Sequence, residues 1–284
     1  AMDDTSLRLY PLPSQELALK GAYLSHNLRQ QAEATGKALV VGNFIASLDG
    51  RIALPRIGGP GMKVPEAIAN PRDWRLFQEL AVQADILITS GRYLRERAEG
   101  RGQEILQVYN QPEFADLGDW RREQNLPPLP DLAVISRSLD FPIPSALVEG
   151  SRSVVVFTTR NADPERASRL ESQLGKVVTA GEEGVDGSLL VGALSEMGYR
   201  VVYSTAGPKV LHLLLEARVL DRLYLTFAHR LLGGSSFSSI VEGSLLDPPA
   251  DFRLETLYFD PQALEGLGQL FAAYERAASS EGRG

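Results

Sequence analysis

Tyr203-Ser204-Thr205-Ala206-Gly207-Pro208-Lys209-Val210-Leu211 joins the apolar pair Val201-Val202 to a leucine-rich run, Leu211 with Leu213, Leu214 and Leu215. The first pair reads as a short buried strand and the second run as a buried helix. Small residues fill the junction, and Pro208 stands at a first helical position, where a missing N–H costs nothing. A strand that passes through small residues into a helix N-terminus leaves bare backbone donors at the positive end of the helix dipole, which suits a phosphate or pyrophosphate. Taken alone, the stretch is also what any tight strand-to-helix turn looks like, so the rest of the chain has to decide.

Working outward, the same alternation recurs. Short apolar runs at Ala38–Ala46, Asp85–Thr89, Leu132–Ile135, Ser153–Phe157, Lys176–Thr179 and Arg200–Tyr203 read as strands. Capped helical patterns lie between them: Asn70-Pro71 opens one, Gly91 another, Asp163-Pro164 a third that stops at Gly175, and Asp186 a fourth that stops at Gly198. Continuous apolar strands alternating with helices imply a mostly parallel sheet covered on both faces. The ending breaks the rhythm. Leu220–Ala228, Phe252–Phe259 and Leu267–Tyr274 form three strand-like runs with no clear helix between them, which places antiparallel strands at one edge. Before the first strand, Leu7–Lys37 reads as an extension with a helix from about Ser14 to Ala34. Glu96–Pro130 reads as an inserted loop with one short helix. The expected organisation is an extension over 1–37, a main domain over 38–277 and a tail over 278–284.

Ligands of open α/β sheets bind beyond the carboxyl ends of the strands, and five such ends here carry small or polar residues. They are Ser47-Leu48-Asp49-Gly50-Arg51, Thr89-Ser90-Gly91-Arg92, Ser136-Arg137, Thr158-Thr159-Arg160 and Ser204-Thr205-Ala206-Gly207. The arginines suit an anionic group such as a ribose phosphate; a solvated surface role is the bland reading of each. Asp49 is either an acid or substrate partner, or half of an Asp-Gly turn.

Composition narrows the partners. The 284 residues carry a formal charge of -7, which argues against nucleic acid or an anionic membrane, so any phosphate site must be a local cluster of donors. No apolar run approaches the ~20 residues of a membrane span, and no signal-peptide pattern opens the chain, so a cytoplasmic setting is expected. There are no cysteines and three histidines without ligand spacing, and no metal site is expected. Neither a G-x-S-x-G elbow nor a P-loop is present.

Together the clusters resemble the pyrimidine reductases of riboflavin biosynthesis, which have a dihydrofolate-reductase-like fold. Asn43-Phe44-Ile45-Ala46-Ser47-Leu48-Asp49-Gly50-Arg51-Ile52-Ala53 is similar to the family's S-x-D-G-[KR]-x-A segment, and Ala84–Arg92 to its D-A-[IL]-L-[VI]-G strand and cofactor loop. Tyr203–Leu211 resembles the E-G-G-P-x-[LV]-[LI] turn, Leu215–Asp221 its L-[LE]-E-A-x-L-[VI]-D continuation, and Leu231-Leu232-Gly233-Gly234 the L-L-G-G that follows.

The resemblance implies hydride transfer from NADPH to the ribosyl C1′ of 5-amino-6-(5-phosphoribosylamino)uracil, in a homodimer. It assigns the cofactor to Thr89, Gly91, Arg92, Ser136, Arg137, Thr158, Thr159, Ser204, Thr205, Ala206, Gly207 and Pro208. Ser136 and Arg137 meet the adenosine 2′-phosphate, and Ser204–Pro208 the pyrophosphate. The substrate falls to Asn43, Ser47, Asp49 and Gly50, with Asp49 as the catalytic candidate. Departures are visible: the usual Glu-Gly-Gly is Ser204-Thr205-Ala206-Gly207, and Tyr93–Gly102 replaces the loop that carries a substrate-phosphate arginine. They keep two alternatives open, an NADPH-dependent reductase of this fold with another carbonyl, imine or pterin substrate, and a nucleotide-binding module without turnover. A cysteine-free chain cannot build the zinc deaminase that precedes the reductase in bifunctional members; a reductase-type domain alone is expected.

If the apolar C-terminal runs Leu254–Phe259 and Leu267–Tyr274, with Leu257, Tyr258, Phe259, Leu270, Phe271 and Tyr274, form the edge of the sheet, they give a separate reason to expect self-association, unless the N-terminal helix covers that edge.

Overall fold

Asp163 accepts hydrogen bonds from the N–H groups of Glu165 and Arg166 at 2.9 and 3.1 Å, heading the helix Pro164–Leu174 in the computed structural model, which describes residues 4–278. Asp186 caps Gly187–Glu196 through the Leu189 N–H at 2.9 Å, and Asn70 caps Pro71–Ala81 through the Asp73 N–H at 3.0 Å. Each cap satisfies a donor that a helix start leaves bare, so the polar residue before each apolar stripe fixes where the helix begins.

In chain order the described strands are β1 (Thr5–Tyr10), β2 (Gln15–Ala18), β3 (Leu39–Ser47), β4 (Leu54–Pro55), β5 (Met62–Lys63), β6 (Ile86–Ser90), β7 (Asp131–Ile135), β8 (Val154–Thr158), β9 (Val177–Thr179), β10 (Val201–Ser204), β11 (Arg222–Ala228), β12 (Phe252–Asp260) and β13 (Gln269–Arg276). The α-helices are α1 (Leu28–Thr35), α2 (Pro71–Ala81), α3 (Gly91–Ala98), α4 (Ala115–Glu123), α5 (Ser145–Glu149), α6 (Pro164–Leu174), α7 (Gly187–Glu196) and α8 (Pro208–Glu216). The architecture is mixed α/β with parallel strands and an antiparallel C-terminal group, as the alternation implied. No helix among the described residues is long and apolar enough to cross a membrane. All but the first residue of the expected tail, 278–284, lies outside the described residues.

The chain divides into two compact units. One comprises His26–Val40 and Phe77–Ala206. Its strands run in the order β10-β6-β7-β8-β9, every neighbour parallel. Ile86, Leu87, Ile88, Leu132, Val134, Val156, Phe157, Val201 and Val202 are fully buried, as expected of strands covered on both faces. The inserted segment is more ordered than a loop: α4 holds Arg121, whose buried guanidinium donates to the carbonyls of Val82 (2.8 Å) and Ala84 (2.9 Å). Desolvation pushes this guanidinium down to about 10.

The other unit comprises Val41–Leu76 and the described parts of Ala1–Ser25 and Gly207–Gly284. Its strands run β2-β1-β12-β13-β11-β3, with β11 and β3 parallel and the remaining neighbours antiparallel. Two expectations are corrected here. The helix over Ser14–Ala34 does not form; residues 15–18 are β2, Gly21 turns the chain at φ 90, and regular helix begins only at Leu28. The partial apolar stripe that suggested it serves tertiary packing instead: Tyr23 sits 4.7 Å from Tyr224 and 6.1 Å from Phe271, ring to ring. The hydrophobic strand edge is likewise not open, nor covered by a helix. β1 pairs along β12, setting Leu7 against Phe259 and Arg8 against Tyr258.

Candidate functional site

Because the five strands of the His26–Val40 and Phe77–Ala206 unit are parallel and nearly in register, their carboxyl ends form one rim. Ser204 pairs with Ile88, Ser90 with Ile135, Ile135 with Phe157, and Thr158 with Thr179. The sequence-derived residues of β6, β7, β8 and β10 therefore lie along this rim. A groove of ≈ 790 Å³ opens at its middle, lined by Ile135, Ser136, Arg137, Ser138, Thr159, Asn161 and Glu183. Its size is that of a small-molecule site.

The local bonding shows what is held and what is free. The Ser136 N–H donates to Phe157 O at 3.0 Å, extending the ladder, and the Ser136 Oγ accepts from the Leu139 N–H at 3.0 Å. That leaves the hydroxyl proton available to an acceptor. Arg137 is exposed and makes no hydrogen bond or ion pair with any described residue. Arg160, by contrast, pairs with Glu182 at 3.1 Å. The Thr158 Oγ1 is buried with no partner among the described residues, and Thr158 does not line the groove. Thr205 is pinned to β6 twice, its N–H and its hydroxyl both donating to Ile88 O, at 3.0 and 2.9 Å.

Not every expected residue converges. Arg92 lies on α3 with Glu96 at 3.2 Å, away from the groove lining. Thr89 is buried in β6. Gly91 has an explanation without a ligand, since a Cβ there would stand 2.8 Å from the Phe141 ring. Asn161 and Glu183 line the groove but were not anticipated; both sit in loops beyond strand ends, where sequence periodicity gives no signal.

Gly207 and Pro208 belong to the other unit, at the start of α8. Gly207 is the N-cap with no side-chain cap, a Cβ on it would meet nothing within 4 Å, and the N–H groups of Gly207 and Lys209 bond to no described residue. The bare N–H groups and open cradle at the start of α8 suit a phosphate, and within the other unit the exposed Arg137 and the Ser136 hydroxyl suit one as well.

In that unit the end of β3 is tightly built. Ser47 Oγ donates to Asp49 Oδ1 at 2.5 Å, and the same carboxylate accepts from the N–H groups of Leu232 (3.1 Å) and Gly233 (2.7 Å). These donors, the Ser47 hydroxyl first, hold Asp49 well below the ordinary carboxylate range. Gly50 closes a turn onto Ser47 O at 3.0 Å with φ 81, so the Asp-Gly turn reading describes the backbone. Arg51 donates to Gly233 O and Gly234 O, and its guanidinium lies 3.9 Å from the Phe237 ring centre. The two motifs S-x-D-G-R and L-L-G-G thus form one latch. Asn43 and Ser47 point to one face of β3, alternating with Phe44 and Ala46.

A carboxylate that sequence reading passed over shares this face. Asp73, in the first turn of α2, accepts from the Thr226 hydroxyl of β11 at 2.6 Å, and burial pushes it up to about 6.

The RibD C-terminal domain family matches residues 38–258. Among solved structures, a pyrimidine reductase-like protein from Corynebacterium diphtheriae is similar with a TM-score of 0.62 and 21% identity, over 85% of this chain and 92% of its own. Acinetobacter baumannii RibD gives 0.57 and 17%, over 89% of this chain and 63% of its own. The Saccharomyces cerevisiae riboflavin biosynthesis reductase Rib7 gives 0.52 and 14%, over 89% and 99%. At these identities the likeness establishes the fold. No curated protein sequence matches the chain significantly.

Proposed function

We propose that this chain, which belongs to the RibD C-terminal domain family, is an oxidoreductase of the pyrimidine-reductase type with a role in riboflavin biosynthesis, that it uses NADPH, and that it reduces 5-amino-6-(5-phosphoribosylamino)uracil at the ribosyl C1′. The observation that carries the cofactor choice is the groove beyond β7 and β8, where Arg137 presents an unpaired guanidinium beside Ser136 and Thr159. A 2′-phosphate is the group such donors suit, and it is what distinguishes NADPH from NADH.

When bound, the cofactor supplies a hydride. The chain's own residues bind and orient. Ser136 donates its hydroxyl proton while its lone pair is held by Leu139. Thr159 offers a hydroxyl at the next strand end. The turn Ser204–Pro208 is assigned to the pyrophosphate, its bare N–H groups meeting negative charge at a helix start. Asn43, Ser47 and Gly50 are assigned to the substrate. Asp49, ionised and committed to Ser47, Leu232 and Gly233, is a positioning residue that fixes the loop Leu231–Gly234, rather than a proton donor.

The proposal includes a two-fold dimer, the commonest soluble arrangement. The strand edge that first suggested it is occupied by β1, so the dimer rests on resemblance to the family. The cofactor reading is tested by titrating the protein with NADPH and NADH: tighter binding of NADPH is expected, and equal affinities would overturn it.

A further inference from the structure

Reduction at a ribosyl C1′ needs a proton as well as a hydride, and Asp49 is bound too firmly as a carboxylate to give one. Asp73 has the opposite surroundings. It is half-buried, one oxygen accepts from Thr226 Oγ1 at 2.6 Å, and the other bonds to no described residue. An acid in the first turn of a helix is ordinarily kept ionised by the dipole; here removal from water wins and favours the neutral carboxyl.

Its placement is rigid. Asn70 accepts from the Asp73 N–H and donates through Nδ2 to Gln269 Oε1 at 2.8 Å. Gln269 Nε2 donates to Asp260 Oδ2 at 3.0 Å, and the fully buried Asp260 accepts from Arg72 Nε at 2.9 Å. This chain of bonds ties the start of α2 to β12 and β13. The β3–β11 register supplies the rest: Tyr224 stands beside Asn43, Thr226 beside Ile45 and Ala228 beside Ser47. In-register parallel neighbours share a face, so Thr226 lies on the face of Asn43 and Ser47, about 7 Å along the strand from each. Asp73 is hydrogen-bonded to the residue midway between the two assigned to substrate.

We propose that Asp73 is the general acid of this site, donating its carboxyl proton to the ribose ring oxygen as the sugar opens. The proposal rests on the ribosylamine reading above. A hydride from the reduced nicotinamide dinucleotide forms the new C1′–H bond, and the electron pair of the C1′–O4′ bond departs onto O4′. The Asp73 proton completes a hydroxyl there, and the carboxylate is reprotonated from water. The charged groups that could perturb this are few. On α2 they are Arg72, which pairs with Asp260, and Arg75 and Glu79, turned about 200° and 240° round the helix from Asp73. β12 contributes Asp260 itself, and β11 contributes the uncharged Thr226 and Tyr224 and, four residues before Thr226, Arg222, which pairs with Glu255 at 3.4 Å.

The test pairs the pH dependence of kcat/KM with carboxyl 13C NMR of the unliganded protein, for wild type, Asp73→Asn and Thr226→Val. The wild-type Asp73 resonance should titrate near 6, and kcat/KM should fall tenfold per pH unit above that point. Asp73→Asn should lose about a hundredfold or more and show no such limb. Thr226→Val removes the donor that favours the carboxylate, so the NMR transition and the activity limb should move up together; it serves also if Asp73→Asn does not fold. An Asp73 transition in the ordinary range near 4, or an unchanged limb in Asp73→Asn, overturns the role of Asp73 alone. Wild-type protein that binds NADPH but does not consume the ribosylaminouracil overturns the substrate reading, and the acid's target with it.

Discussion

Replacing Arg137 by alanine isolates the choice between the two dinucleotides. Arg137 is exposed and unpaired among the described residues, so the substitution removes no internal bond and should leave stability within about 0.5 kcal/mol of wild type. Its loss should appear in binding alone. A charge-assisted hydrogen bond to a phosphate is worth ~1.5–3 kcal/mol, and an exposed, hydrated guanidinium belongs at the lower end. About 1.5 kcal/mol corresponds to roughly tenfold in Kd. NADPH affinity should therefore weaken about tenfold while NADH, lacking the 2′-phosphate, barely changes. The gap between the two nucleotides in wild type should narrow as salt is raised, because exposed charges are screened beyond ~8 Å at physiological ionic strength. Glu183 in the same groove supplies a control of opposite sign: Glu183→Gln removes a like charge and should tighten NADPH a few-fold. Fluorescence titration with both nucleotides at two salt concentrations measures all of this. Equal losses for NADPH and NADH in Arg137→Ala, or NADPH affinity left intact, would refute the assignment.

Four further outcomes are expected. Ala206→Asp puts a carboxylate in the turn before α8 and should abolish dinucleotide binding, with an unchanged circular dichroism spectrum; retained binding would remove the pyrophosphate assignment. Asp260→Ala leaves Arg72, whose side chain is 13% exposed, without its carboxylate, and should cost ~3–5 kcal/mol, read as a fall of roughly 10 °C in Tm. Asp73 has a raised folded pKa, so the stability it contributes is complete below its unfolded value near 3.8 and is lost as pH rises through about 6. Asp73→Asn should consequently gain stability relative to wild type between pH 4 and 8, and a constant difference would contradict the burial of that carboxyl. Light scattering at micromolar concentration should give twice 31.0 kDa; the monomer mass would defeat the dimer.

The parallel half of the fold could be read from sequence because each element there carries a local signal. Asp163, Asp186 and Asn70 announce helices through bonds to their own first turns, and buried strands such as Val154–Thr158 are unbroken apolar runs. The N-terminal segment could not be read this way. Its stripe of Leu17, Tyr23, Leu24 and Leu28 mimics a helix, yet Tyr23 is placed by an aromatic cluster on Tyr224, Tyr258 and Phe271, more than 200 residues away in sequence. β2 similarly exists only because β1 pairs with it, and β1 only because β12 offers an edge. Local propensity is a weak prior against such tertiary demands.

The site divides along the same line. Strand-end residues are recognisable from sequence because a parallel sheet gathers them by topology, and Ser136, Arg137 and Thr159 do meet in one groove. The two carboxylates show what topology alone does not decide. Asp49 looked like the acid because it ends a strand among small residues, but Ser47, Leu232 and Gly233 donate to it and keep it ionised. Leu232 and Gly233 lie some 180 residues downstream, so nothing near Asp49 in sequence reveals them. Asp73 stands three residues after the helix start at Asn70 with no sequence mark of its own, and only the fold brings Thr226 to it and takes water away. One carboxylate is pushed down and the other up within a single unit. Environments that separate two carboxyl pKa values in this way favour one group as the charged one and the other as the proton carrier, and with the Thr226 contact on the Asn43 and Ser47 face this is the ground for proposing Asp73 as the acid and Asp49 as the latch.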